Sequence, residues 1–163
     1  KKNKIVSVKP LNISLSTRKR LRKNLLLFFT GYSRNSSSIL KTQDVQSKKN
    51  KSLMIKNLHF VKKLGFASRD ALLNGDMKKF SDLMNVHWNF KKKRSSRMTN
   101  PKIDKWYKIA LKNGAAGGKL VGAGGGGFLM FYASDVKKLK KKMLSLGLTE
   151  IPFDFDHCGT SII

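Results

Sequence analysis

The residues of this chain best suited to chemistry converge on one run, Gly117-Gly118-Lys119-Leu120-Val121-Gly122-Ala123-Gly124-Gly125-Gly126-Gly127, which leads straight into Phe128-Leu129-Met130-Phe131-Tyr132. Seven of the thirteen glycines fall within it. Glycine gives up more backbone freedom on folding than any other residue, so such a cluster serves a left-handed turn or a close approach that a side chain would block. Successive N–H groups in a glycine turn can form a concave nest for an anion; the bland alternative is a hairpin loop without a ligand. Two familiar phosphate-binding patterns fail on context. Gly122-x-Gly124-x-x-Gly127 has the spelling of the dinucleotide fingerprint, but that fingerprint opens a helix and this one opens a strand-like apolar run. A P-loop closes on Gly-Lys followed by Ser or Thr, whereas Lys119 precedes the glycines.

The run from Gly117 to Phe128 resembles the C-terminal motif of the GHMP small-molecule kinases, and other pieces follow in family order. Leu25-Leu26-Leu27-Phe28-Phe29-Thr30-Gly31-Tyr32-Ser33-Arg34, then Ile39-Leu40 and Gln43, is similar to the start of the C-terminal half in the D-glycero-D-manno-heptose 7-phosphate kinase branch. His87-Trp88 with Lys91-Lys92, Asn100-Pro101-Lys102-Ile103-Asp104 and Gly114-Ala115 continue it, so the resemblance runs over residues 5–163. It implies an α+β fold: a small antiparallel sheet with helices on one face and a helical insertion, in a ferredoxin-like C-terminal domain spanning 1–163. It also implies ATP-dependent phosphorylation of a heptose 7-phosphate or related sugar, usually with Mg²⁺. In that reading Gly122, Ala123, Gly124, Gly125, Gly126 and Gly127 support the ATP phosphate loop, while Arg34, Ser33 and Arg97 address the sugar-phosphate substrate.

The family's Pro-x-x-x-Gly-Leu-x-Ser-Ser phosphate loop, purine pocket and catalytic aspartate have no counterpart in these residues. The resemblance therefore implies an N-terminal kinase half as partner, ATP and Mg²⁺ held mainly there, and no catalytic residue in this chain, which alone is expected to be inactive. The opening on Lys1 fits a portion of a longer protein.

Charge supplies a competing reading. With 35 basic and 9 acidic residues the net charge is +26, and such a surface draws polyanions through counterion release. Yet the basic residues are 28 Lys and 7 Arg, scattered from Lys1 to Lys142, and bidentate grip on phosphates or bases favours arginine. Nucleic-acid binding is expected to be weak and indifferent to sequence, which leaves a basic nucleic-acid-associated protein and a stand-alone ligand-binding module as alternatives. One cysteine, Cys158, excludes an internal disulfide and fits a reducing cytoplasm. The basic stretch before Leu25 has too short an apolar core for a signal peptide, and the apolar run Val121 to Ala133 is too short and glycine-rich to span a bilayer.

Other polar residues are read one by one. Arg34 follows a strand and a glycine, where a permanently charged planar fork suits a sugar phosphate; Arg97 in Ser95-Ser96-Arg97 is placed to reach the same cleft. His87, on an apolar stripe beside Trp88, reads as a half-buried histidine rather than a catalytic one. Lys91-Lys92-Lys93-Arg94 reads as a solvated helix end, where cations suit the dipole. His59, His157 and Cys158 are too scattered for a metal site.

The elements that would position these groups follow from periodicity. Ile5 to Val8 and Leu25 to Thr30 read as strands. Met54, Leu58, Val61, Leu64 and Leu72 mark a long helix; Met77, Phe80, Met84, His87 and Trp88 mark another. Asn100 as N-cap, Pro101 and Gly114 bracket a third. Ser134 is the expected cap of a fourth, with Val136, Leu139, Met143 and Leu146 on its apolar face and Gly147 ending it. The tail from Ile151 to Ile163 reads as two short strands bent at Asp156-His157-Cys158-Gly159, and Ser33 to Asn50 as mostly loop with a weak helical face at Ile39, Leu40 and Val45.

Overall fold

The computed structural model describes residues 8–32, 41, 44–45, 48, 51–94, 96–122 and 124–156, apart from the side chains of Lys51, Leu53, Met54 and Ser96. Of the strand expected at Ile5 to Val8, Ile5 to Ser7 lie outside the described residues and Val8 is in no strand; most of 33–50 and the tail from His157 also lie outside them. In chain order the elements are α1 (Leu15–Asn24), β1 (Leu25–Phe29), α2 (Lys51–Leu73), α3 (Met77–Lys92), α4 (Pro101–Lys112), β2 (Ala115–Val121), β3 (Phe128–Ala133), α5 (Val136–Ser145) and β4 (Thr149–Glu150). The sheet order is β2-β3-β1-β4 and the pairings are antiparallel. This is the α+β architecture that the resemblance implies.

Local chemistry explains most boundaries. α1 is absent from the periodicity reading because its stretch is dominated by lysine and arginine, but Ser14 caps it by accepting from Thr17 N at 3.1 Å, and Thr17 and Leu21 turn inward. Gly75, at φ 67°, makes the turn from α2 into α3, and Asp76 caps α3 through Lys79 N at 2.9 Å. Asn100 caps α4 as expected, accepting from the amides of Lys102 and Ile103.

Two boundaries need correction. Asp135, not Ser134, caps α5: its carboxylate accepts from Lys138 N at 3.0 Å, while Ser134 Oγ donates to Gly114 O. An N-cap side chain must face back toward the first turn, and Ser134 is turned toward the end of α4 instead. The last strand among the described residues, Thr149–Glu150, precedes the expected tail strands and pairs with Phe28 and Phe29. Ile151 N adds one bond to Leu27 O, and then Pro152, lacking an N–H, stops the ladder; residues 151–156 form no strand.

Alternation along the strands splits the core. Leu26, Phe28, Leu129 and Phe131 face one side with Trp88, Ile103, Trp106, Leu139 and Met143 from the helices. The register pair Leu25 and Tyr132 faces the other, with Leu21, Met77 and Met84. Edge strand β2 is covered by α3 so closely that a Cβ on Gly117 would lie 1.9 Å from Ser81 O. The register shifts between Ala115 and Gly117, and Asn85 of α3 supplies the ladder partners lost there. Its Oδ1 accepts from Gly118 N at 3.0 Å and from the Tyr107 hydroxyl at 2.5 Å, and its Nδ2 donates to Ala116 O at 3.1 Å. A helix side chain thus closes the exposed edge that a bulged strand would otherwise present.

Candidate functional site

The glycine turn joins β2 to β3, as its sequence setting requires. Gly122, Gly124, Gly125 and Gly127 have φ of 103°, 115°, 71° and 98°, values that residues with a Cβ rarely adopt. Ala123 lies outside the described residues. The turn is held from both sides: Gly125 N donates to Met98 O at 2.8 Å, and Gly127 N to Tyr32 O at 2.9 Å. Gly127 O accepts from Thr30 N and Thr30 Oγ1 at 3.0 and 2.8 Å. Added Cβ atoms would meet Met98 Sδ at Gly124 and Tyr32 O at Gly126, each at 2.6 Å. These close approaches are to the protein's own backbone and side chains. The anion nest read from the glycines alone is therefore partly filled, since two of its amides serve Met98 and Tyr32.

The clamp residues Met98 and Tyr32 are sequence neighbours of the candidate substrate residues. Arg97 directly precedes Met98 in the 3-10 turn Ser96–Met98 and is exposed. Ser33 and Arg34 directly follow Tyr32, although they lie outside the described residues. The segments 65 residues apart in sequence, Tyr32 and Arg97, thus border one loop.

The basic end of α3 is not a solvated helix end. Lys91 Nζ donates to Leu120 O at 3.2 Å and to Gly122 O at 2.5 Å, tying α3 to the mouth of the glycine turn. Arg94 Nε donates to Asn57 Oδ1 of α2 at 2.9 Å. Lys92 lies over the Trp88 ring at 5.6 Å and near Asp104 Oδ1 at 3.7 Å. His87 and Lys91 stand four residues apart and Arg94 three further on, extending the buried stripe of Met84. That spacing was the signal available in the sequence; charge run alone obscured it. Lys119 joins them from β2, on the face of its register partner Met130.

Desolvation and mutual repulsion act together here. Burial, then Lys119, Arg94 and Lys91, lower the His87 pKa to about 4, so this half-buried imidazole is neutral at physiological pH. Burial, with Lys119 and Arg94, lowers Lys91 to about 8. Burial also lowers Lys119 and Arg94. Among the described residues none of these groups has a carboxylate ion-pair partner.

Among the described residues no group of three or more His, Cys, Asp or Glu side chains is placed to hold a metal ion. No described helix is long and apolar enough to cross a membrane.

With this geometry, residues 68–147 match the family model described as GHMP kinases C terminal. The chain carries a GHMP kinase C-terminal domain. It is 32% identical over 136 residues to the D-glycero-alpha-D-manno-heptose 7-phosphate kinase of Campylobacter jejuni, covering 83% of this chain and 40% of that protein. It is 29% identical over 136 residues to the bifunctional fucokinase/GDP-fucose pyrophosphorylase of Arabidopsis thaliana, covering 83% of this chain and 13% of that protein. The fold superposes on L. major mevalonate kinase, solved in complex with R-mevalonate, with a TM-score of 0.70 at 17% identity, over 77% of this chain and 40% of that one. The chain thus spans less than half the length of each of these relatives.

Proposed function

We propose that residues 1–163 form the C-terminal domain of an ATP-dependent GHMP-type sugar kinase whose acceptor is a heptose 7-phosphate or a related sugar. The observation that carries this reading is the glycine turn clamped between Met98 and Tyr32, which puts Arg97 on one border and the chain leading to Ser33 and Arg34 on the other. Identity to a heptose 7-phosphate kinase supports the choice of acceptor.

In such a reaction an acceptor hydroxyl attacks the γ-phosphorus of ATP, its bond to the ADP oxygen breaks, and the hydroxyl proton leaves to a base. The protein contributes positioning and charge neutralisation. The Gly122–Gly127 turn would brace the ATP phosphate loop of the N-terminal kinase half, and Arg34, Ser33 and Arg97 would orient the sugar. Among the described residues no group of three or more His, Cys, Asp or Glu is placed to hold a metal ion; Mg²⁺, which takes one or two carboxylates beside the nucleotide phosphates, would be held mainly by the N-terminal half.

Replacing the corresponding segment of the Campylobacter jejuni kinase with this chain tests the reading. The folded chimera is expected to phosphorylate heptose 7-phosphate with ATP; a folded chimera without turnover overturns it. Gly125→Val in the same chimera is expected to cut kcat/KM about a hundredfold, roughly 2.7 kcal/mol of transition-state stabilisation. Near-normal turnover in the folded variant would reduce the feature to a structural turn.

A further inference from the structure

The cationic cluster beside the glycine turn has a property that the clamp does not explain. His87, Lys91 and Arg94 from α3 and Lys119 from β2 are drawn into one partly buried place, in a chain with only 9 acidic residues. Neighbouring Lys92 has Asp104 near it, but none of the cluster has a carboxylate among the described residues. Like charges brought together away from water oppose folding unless a countercharge arrives.

Its donors are also incompletely used. Lys91 gives two hydrogens to Leu120 O and Gly122 O, leaving a third. Arg94 Nε is engaged by Asn57, while Arg94 Nη2 is buried without an acceptor among the described residues. The Lys119 ammonium makes no hydrogen bond or ion pair with another described residue. Charge, missing countercharge and spare donors together match a compact dianion with several acceptor oxygens.

We infer that Lys91, Arg94 and Lys119, with His87 beside them, form a subsite for a phosphate monoester, and that its ligand is the phosphate the acceptor sugar already carries. The second clause rests on the sugar-kinase reading; the first stands without it. Because Lys91 also holds the carbonyls of Leu120 and Gly122, occupation of the subsite would be felt at the mouth of the glycine turn. The subsite would thereby favour phosphorylated over unphosphorylated acceptors.

The test titrates the 163-residue chain at physiological salt with mannose 6-phosphate, inorganic phosphate, mannose and ATP, following heat release and thermal unfolding. Mannose 6-phosphate is expected to bind and raise Tm, more strongly than inorganic phosphate, and mannose to do neither. Lys119→Met and Arg94→Gln should each weaken mannose 6-phosphate binding about tenfold or more, the loss expected for one charge-assisted contact. Lys119→Met should also raise the Tm of the ligand-free chain, because it removes a repelled charge while keeping an apolar stem; a merely structural lysine would lower it. Lys138→Gln, an exposed charge on α5, should change affinity by less than about twofold. Equal losses in Lys138→Gln and Lys119→Met, no binding by the wild type, or tighter binding of ATP or inorganic phosphate than of the sugar phosphate would each overturn the inference. If the chimera proves inactive while these results hold, the sugar-kinase reading fails and the phosphate subsite remains.

Discussion

The two ends of β2 are built from the same kind of sequence and put it to opposite uses. At the Gly117-Gly118 end the glycines remove side chains so that other parts can close in: an added Cβ would meet Ser81 O at Gly117 and Phe131 Cδ1 at Gly118, at 1.9 and 2.2 Å. Polar groups there are matched one to one by Asn85. At the Gly122–Gly127 end four glycines make a left-handed turn, with Gly124 and Gly126 also leaving room for Met98 and Tyr32, and the charges beside it are crowded without countercharge among the described residues. One end is optimised for the fold. The other holds unmet electrostatic demand in place, the usual signature of a site that trades stability for binding.

The largest effect expected from breaking this contrast is at Gly117. Gly117→Ala needs no unusual φ, so its whole cost is steric: α3 must move off the strand, at about 3 kcal/mol or more. Gly122→Ala, with nothing within 4 Å of the added Cβ but a φ of 103°, should cost only about 1–2 kcal/mol through backbone strain. Thermal unfolding of the two variants ranks them directly. A milder loss at Gly117 than at Gly122 would mean that the α3–β2 contact is looser than its geometry indicates.

Next in size is Asn85→Ala. It strands Gly118 N, Ala116 O and part of the Tyr107 hydroxyl's bonding, although Tyr107 retains Gly118 O at 3.2 Å. Burying unpaired peptide groups should cost about 2–3 kcal/mol. Phosphate binding by the fraction that stays folded should be unchanged, the reverse of the pattern for Lys119→Met. Loss of binding with intact stability would show that the two ends of β2 are not separable.

How much of this was legible in the sequence follows the same division. Features set by local chemistry were readable: Asn100-Pro101 opening α4, the apolar run of β1, the glycine turn opening β3. Features set by partners distant in sequence were not. Asn85 is an ordinary polar residue until a bulge 31 positions away presents Ala116 O. Lys91 reads as one of several surface cations until α3 crosses the end of β2 and offers it two carbonyls. α1 was hidden because its buried face is only Thr17 and Leu21 amid basic residues. The glycine run was legible as a turn, yet what several of its glycines approach is this chain itself.

The smallest effect expected, and the one that reads the cluster's field most directly, is the acid dependence of stability through His87. Its folded pKa of about 4, set first by burial and then by Lys119, Arg94 and Lys91, lies below the ordinary histidine value of 6.5. Between these values the unfolded chain binds a proton that the folded chain refuses, so stability is full above pH 6.5 and is lost as pH falls toward 4. Because the ring is only half-buried, solvent screening should hold the loss to about 1 kcal/mol. The informative quantity is the difference between wild type and His87→Gln. That difference should open below pH 6.5, with the variant losing less stability. In a Lys119→Met background it should narrow, since one source of the field has been removed. Parallel curves for wild type and His87→Gln across this range would show that the cluster exerts no field on the imidazole, and the contrast between the two ends of β2 would then rest on packing alone.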